Sequence, residues 1–277
     1  MTEPGTSPEA AELPADLTAA LARAARASRL LLALDFDGSL APLVPVPEDA
    51  RMLPAAVPLL ARLAAKPSID LVLVSGRAGD SLAHCAEAPD GTRVVGSHGA
   101  QWGAIRVSPS GERSFEAAAL ELTDEEADLL ERVTSAAEEI VARHPGASVE
   151  YKPAATVVHT RRATPEVAAA AEAATLAGPG QFAGVNVLAG KAVIELSVLH
   201  TTKGEALTRL IETTGATHAI YAGDDVTDEF AFQALASAPI KATTIKVGDG
   251  ETSATFRVAD PHALVAALAI LAEADIS

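Results

Sequence analysis

Five short apolar runs constrain this chain most: "RLLLALDFD", "IDLVLVSGR", "TRVVGSHG", "THAIYAGDD" and "TTIKVGDG". They are nearly continuous in hydrophobic residues rather than alternating, and each closes on small polar or charged residues beside a glycine. A strand with one wet face alternates, whereas an unbroken apolar strand is covered on both faces, as in a parallel α/β sheet. Helical stretches follow the runs. The expected fold is therefore α/β, with a Rossmann-like parallel-sheet core. In open sheets of this kind ligands sit beyond the carboxyl ends of the strands, where these runs place their polar residues.

Between the third and fourth runs the pattern changes. "AIRVSPSGERSF" reads as a hairpin with a Ser-Gly turn. "TDEEADLLERVTSAAEEIVARHPG" reads as a helix, with Thr123 and Glu126 as a capping box and Gly146 near its stop. "ASVEYKPAATVVHTRR", an Ala-rich helix from Thr164 and "GVNVLAGKAVIELSV" follow. Paired strands separated by helices predict a smaller α+β domain inserted into the core, over residues 104–197, with the core spanning 26–103 and 198–277. Residues 1–25 are expected to be a flexible leader, with a short helix possible over 16–28.

The totals exclude several partners. A formal net charge of -16 argues against nucleic acid and anionic membrane, which attract basic surfaces. No apolar run approaches the roughly 20 residues that span a bilayer. The one cysteine, Cys85, leaves no internal disulfide and suits packing in a reducing cytoplasm.

The chemistry begins in "DFDG". Residues i and i+2 of a strand share a side, so Asp35 and Asp37 can face one pocket at a strand end. Two close carboxylates repel unless a proton or a metal joins them, and a hard divalent cation is the simplest partner. Alone, the pair reads equally well as solvated turn aspartates. "VSGR" adds Ser75, Gly76 and Arg77 at the next strand end, able to hold phosphate oxygens. "TTKGEAL" sets Lys203 at a helix N-terminus, where it opposes the helix dipole and makes sense only with an anion between them. "YAGDDVTDEFAF" ends the fourth run with Asp224, Asp225 and Asp228. Asp224 reads as a metal ligand. Asp228 reads either as a ligand or as a helix cap. Such a set has the parts of a phosphoryl-transfer site.

"DFDGSL", "VSGR", "TTKGEAL" and "GDDVTDEF", in this order, resemble the four signature motifs of the haloacid dehalogenase superfamily of phosphatases. The resemblance implies that Asp35 is the nucleophile and Asp37 the general acid/base. It gives Ser75, Gly76 and Lys203 to the phosphoryl group. It also implies Mg²⁺ on Asp35, the Asp37 carbonyl and Asp224, with Asp225 or Asp228 in support. Ser39 stands where that family usually has threonine.

Over most of residues 30–270 the resemblance narrows to the trehalose-6-phosphate phosphatases. It is carried by "DFDGSLAPLVPVPEDA", "VVGSHGAQW", "VEYKPAATVVHTRR", "KAVIELSVLHTTKGEAL" and "ETSATFRVADP". The inserted domain then becomes a cap that recognises the sugar. Glu150, Lys152, Arg161 and Glu195 match the family's sugar-contacting residues, with Lys191, Arg77 and His98 as further substrate contacts. Carboxylates and amines suit a disaccharide, which offers many hydroxyls and little charge. His144, His159 and His200 show no metal-ligand spacing and read as structural, and Trp102 as packing. The expected protein is a single-chain cytoplasmic phosphatase with a small sugar phosphate as its partner. Sucrose phosphate, a glucosylglycerol-type phosphate and a hexose phosphate remain open as substrates. So do a mutase and a non-catalytic sugar-phosphate sensor.

Overall fold

A computed structural model describes residues 13–119, 122–190, 192–199 and 201–274. The chain divides into two compact units, residues 1–118 with 201–277, and residues 119–200. The first begins with α1 (Ala15–Ala24), β1 (Leu30–Leu34), α2 (Ala56–Ala64), β2 (Ile69–Val74), α3 (Gly79–Ala86), β3 (Arg93–Gly96), β4 (Gln101–Val107) and β5 (Arg113–Ala117). The second contains α4 (Asp124–Arg143), β6 (Ser148–Lys152), β7 (Ala155–His159), α5 (Pro165–Ala177), β8 (Asn186–Gly190) and β9 (Val193–Ser197). The chain then returns through α6 (Lys203–Thr214), β10 (His218–Gly223), α7 (Asp228–Ala236), β11 (Lys241–Val247), β12 (Phe256–Val258) and α8 (Pro261–Glu273).

The first unit holds an eight-stranded sheet in the order β12-β11-β10-β1-β2-β3-β4-β5. Strands β12 to β3 run parallel, and β4 and β5 are antiparallel. Every residue of β1 and β10 is buried, which explains their unbroken apolar sequence. Leu30, Leu32 and Leu34 enter one core with α1, α2 and α8, while Leu31 and Ala33 enter the other with α6 and α7. These two cores clamp β1 from both sides and fix the height at which the chain leaves it.

Two boundaries differ from the sequence reading. Of the leader expected over 1–25, residues 1–12 lie outside the described residues, but from residue 15 the chain is helical. Leu17 and Leu21 of α1 are fully buried, and this apolar stripe holds the helix on the core. The hairpin assigned to the insert, β4–β5, instead extends the large sheet: Val95 of β3 pairs with Trp102, and Ile105 with Phe115. The second compact unit accordingly begins at 119 rather than 104 and ends at 200 rather than 197.

The second unit is a four-stranded antiparallel sheet, β6-β7-β9-β8. Helix α4 starts at the expected capping box of Thr123 and Glu126. Leu129 and Val133 pack with Ile194 and Leu196 beneath the helices. The residues between them in β9, Val193, Glu195 and Ser197, are only half-buried and belong to the opposite face.

Candidate active site

Asp35, Ser75 and Asp224 are the first residues beyond β1, β2 and β10, three adjacent parallel strands. Strand ends that differ by a single residue in register, Leu34 lying beside Ala222 and Leu73, deliver two carboxylates and a hydroxyl to one edge of the sheet. Lys203 arrives from the first turn of α6, where Thr202 and Glu205 form a capping box that fixes the helix start. Its ammonium is 3% exposed and donates to Asp35 Oδ1 at 2.8 Å and to Asp228 Oδ1 at 2.6 Å.

Asp228 is the hub of the site. Its Oδ1 also accepts from the Tyr221 hydroxyl at 2.6 Å, and its Oδ2 accepts from the Asp225 N–H at 2.8 Å. Asp228 does not cap α7, whose start carries no side-chain cap hydrogen bond; its carboxylate ties the 224–228 turn and holds Lys203. Tyr221 was missed in the sequence because it sits inside a strand as a core residue; only the fold brings its hydroxyl to Asp228.

Charge in this cluster is unbalanced. Burial pushes the Asp35 carboxyl well above its ordinary pKa, with Lys203 acting against it and Asp228 adding to it. Asp224 is raised by burial and then by Asp228, against a hydrogen bond with Asp35. Burial presses on the Lys203 ammonium too, but Asp35 and Asp228 outweigh it and its pKa is raised. Carboxylate oxygens of Asp35, Asp224 and Asp228 lie within 4.8 Å of one another. Three carboxylates facing one ammonium, all offering hard oxygen donors, fit a small divalent cation.

The loops are shaped around these groups. Gly38 has φ +71°, and a Cβ there would stand 2.0 Å from Asp224 Oδ2. At Gly76 a Cβ would stand 2.5 Å from the His98 ring, so the "VSGR" turn admits glycine beneath that imidazole. His98 therefore stacks directly on the turn that carries Ser75, whose carbonyl accepts from the His98 N–H at 3.0 Å.

The other predicted residues take different places. Asp37 turns toward Arg77, which grips it with Nε at 2.6 Å and Nη2 at 2.7 Å. Arg77 also donates to the Pro47 carbonyl and the Ser81 hydroxyl, and it lies 5.5 Å from the Phe36 ring centre. Expected to meet substrate, Arg77 is instead occupied in holding Asp37. Asp225 accepts from the Val226 N–H and the Thr227 hydroxyl of its own turn. Cys85 is buried with its Sγ facing the guanidinium groups of Arg51 and Arg77. Trp102, half-buried, packs against the core, donates to the Gly99 carbonyl and carries Arg209 over its ring.

In the second unit, Glu150, Val157 and Glu195 lie side by side across β6, β7 and β9. Lys152, two residues along, donates to Glu195 Oε2 at 2.6 Å. Glu150 meets His159 at 2.7 Å, a partner that motif reasoning passed over. Arg161 follows β7 and lines a cavity of about 370 Å³ with Ser148, His159 and Arg162. Lys191 and His200 lie outside the described residues.

An eight-stranded α/β sheet with acid, hydroxyl and ammonium at its carboxyl edge, and a separate antiparallel unit inserted in the chain, is the arrangement of the haloacid dehalogenase fold. The model of the trehalose-phosphatase family matches residues 33–262, and the chain belongs to that family. It is 34% identical over 252 residues to a bifunctional trehalose-6-phosphate synthase/phosphatase of Thermoproteus tenax, covering 87% of this chain and 31% of that protein. It is 34% identical over 245 residues to a trehalose-phosphate phosphatase of Mycobacterium avium, covering 82% and 58%. The chain thus spans less than two thirds of these relatives. Among solved structures, the trehalose-6-phosphate phosphatase of Aspergillus fumigatus has the same fold, with a TM-score of 0.65, 24% identity and coverage of 93% of this chain and 98% of that one. Among the described residues no helix is long and apolar enough to cross a membrane.

Proposed function

We propose that this chain hydrolyses trehalose 6-phosphate to trehalose and inorganic phosphate, with Mg²⁺, through an aspartyl-phosphate. The observation that carries this reading is Lys203 held between buried Asp35 and Asp228, with Asp224 beside them. Asp35, Asp224 and Asp228 would hold the Mg²⁺. When bound, it supplies Lewis-acid neutralisation of charge on the transferring group.

Lys203 and Ser75 orient the phosphoryl oxygens, and Asp35 attacks phosphorus through a carboxylate oxygen. As that bond forms, the phosphorus–oxygen bond to the sugar breaks, and Asp37 gives its proton to the departing oxygen. A water then attacks phosphorus while losing a proton to Asp37. The phosphorus–oxygen bond to Asp35 breaks, and the carboxylate is restored. Arg77 keeps Asp37 on station through a two-pronged contact that a lysine cannot reproduce.

Sugar recognition falls to Glu150, Lys152, Arg161 and Glu195, with Lys191. The support is chemical: strands β6 and β9 present carboxylates and an amine in adjacent rows on one face, suited to hydroxyl groups. A cytoplasmic setting completes the reading, supported by one cysteine with no partner for a disulfide.

The test is phosphate release from purified protein. Trehalose 6-phosphate is offered beside sucrose 6-phosphate, glucose 6-phosphate and an aryl phosphate, with and without EDTA. Preference for trehalose 6-phosphate, lost on chelation, is the expected result. Chelator-sensitive release from a different ester overturns the sugar assignment, and no release from any ester overturns the chemistry.

A further inference from the structure

Strand β11 carries a lysine that the mechanism does not use. Lys246 is 4% exposed, and its ammonium donates to the backbone carbonyl of Asp224. Its neighbours in the sheet are Gly223, the residue before Asp224, and Arg257. A buried ammonium is unfavourable unless it is paired; the Asp224 carbonyl is neutral, and the carboxylate that feels the charge is Glu229, whose pKa Lys246 helps to lower. An apolar side chain is the ordinary occupant of such a place in a strand.

The surrounding segment braces the same turn. Glu229, next to Asp228, accepts from the Ser253 N–H and hydroxyl, each at 2.8 Å. Two residues before Lys246 on the same side of β11, Thr244 is joined to the Thr255 hydroxyl at 3.1 Å and N–H at 2.8 Å. The "ETSATF" stretch, which the reaction leaves without a role, therefore belts β11 to α7. Lys246 and this belt hold the two ends of the 224–228 turn, one at Asp224 and the other at Glu229.

We infer that Lys246 is a positioning residue: by fixing the Asp224 main chain it presets the carboxylate set of the site for a divalent cation. This rests on the reading of Asp224 as a metal-holding residue. The sign of its effect separates positioning from simple charge. Coulomb's law alone has the loss of a cation tighten binding of another cation nearby. Loss of a positioning contact weakens it, and loss of such outer partners typically weakens metal binding 10–100-fold.

The experiment is calorimetric titration of Mg²⁺ into the folded, substrate-free protein for wild type, Lys246→Met, Lys246→Gln, Lys246→Arg and Asp224→Asn. Gln is included in case Met prevents folding. The expected result is binding by wild type, little by Asp224→Asn, and roughly tenfold weaker binding by Met and Gln. Arg, which keeps the donor and the charge, should stay within about threefold of wild type. In steady state, the Met or Gln variant should regain substrate KM at saturating Mg²⁺. Unchanged or tighter Mg²⁺ binding by Met or Gln, with Asp224→Asn impaired, overturns the inference alone. Binding by Asp224→Asn equal to wild type overturns the reading beneath it.

Discussion

At Asp224 the needs of chemistry and of stability diverge. The residue is raised in pKa by burial and by Asp228, and the Lys203 ammonium that acts against this is already shared by two other carboxylates. Asp224→Asn should therefore stabilise the metal-free protein by about 1 kcal/mol, the usual gain on relieving a strained functional site. For a chain of this size that is a melting temperature roughly 2–4 °C higher in EDTA. A lower melting temperature would show the carboxylate to be a net stabiliser. Asp35→Asn tests the opposite partition. It leaves Lys203 paired with Asp228, so the circular-dichroism spectrum should not change, yet phosphate release should fall on the order of 10⁴-fold or more. Residual turnover near the wild-type rate would remove Asp35 from the nucleophile's role.

Single elements carry separable duties. The β6–β9 sheet turns Leu196 and Ile194 inward and Glu150, Lys152 and Glu195 outward, so its outer face can change without loss of core. Glu150→Ala should lower kcat/KM for trehalose 6-phosphate roughly 10–100-fold, the worth of a charged hydrogen bond. An aryl phosphate, lacking the sugar, should be nearly unaffected, and equal losses on both would take Glu150 out of specificity. In β10, His218 is buried against Thr243, and burial, then Lys241 and Arg23, lowers its pKa. Its folded pKa lies below the unfolded value of about 6.5, so the unfolded chain binds the proton more readily. The stability this residue contributes is complete above about pH 6.5 and is lost as pH falls through the lowered folded value. Urea unfolding from pH 7.5 down to 5 should show that loss, and His218→Asn should flatten it. How far elements were legible depended on what identified them. Strands β1, β2 and β10 announced themselves because two-sided burial forbids polar interruption. The capping box at Thr123 is a local signal and was read in place. Hairpin β4–β5 was recognised as a hairpin but joined to the wrong unit, because the domain edge was set at 104, inside β4, although β4 pairs with β3 directly before it in the chain.

The molecule as a whole carries a net charge of -16. Self-repulsion on that scale opposes the compact state and is relieved by salt. Raising ionic strength shortens the screening length from about 30 Å at 0.01 M to about 8 Å at 0.15 M. With chelator present throughout, the melting temperature should rise by roughly 2–4 °C over that range. No rise would mean that the acidic groups are already compensated within the fold. Legibility at this scale followed the same rule. Asp35, Ser75, Lys203 and Asp224 stood out because each sits at the end of an apolar run or at a helix start where stability alone does not ask for it, whereas Asp228 also suited a helix start. Tyr221 stayed hidden because it reads as an ordinary strand residue, and Lys246, although it interrupts an apolar run, has no motif to say that its partner is the Asp224 carbonyl. Arg77 was read as a substrate contact; its partner here, Asp37, sits 40 residues away and no local pattern joins them.

Cys85 gives the molecule an internal clock. It is the one thiol in the chain, lies 1% exposed on α3 and faces the arginine that holds Asp37. A thiol reagent can reach it only when α3 lifts, so its labelling rate measures how often that edge of the site opens. A ligand that locks Arg77 and Asp37 in place should slow the labelling, turning a side chain with no part in turnover into a timer of the residues that have one.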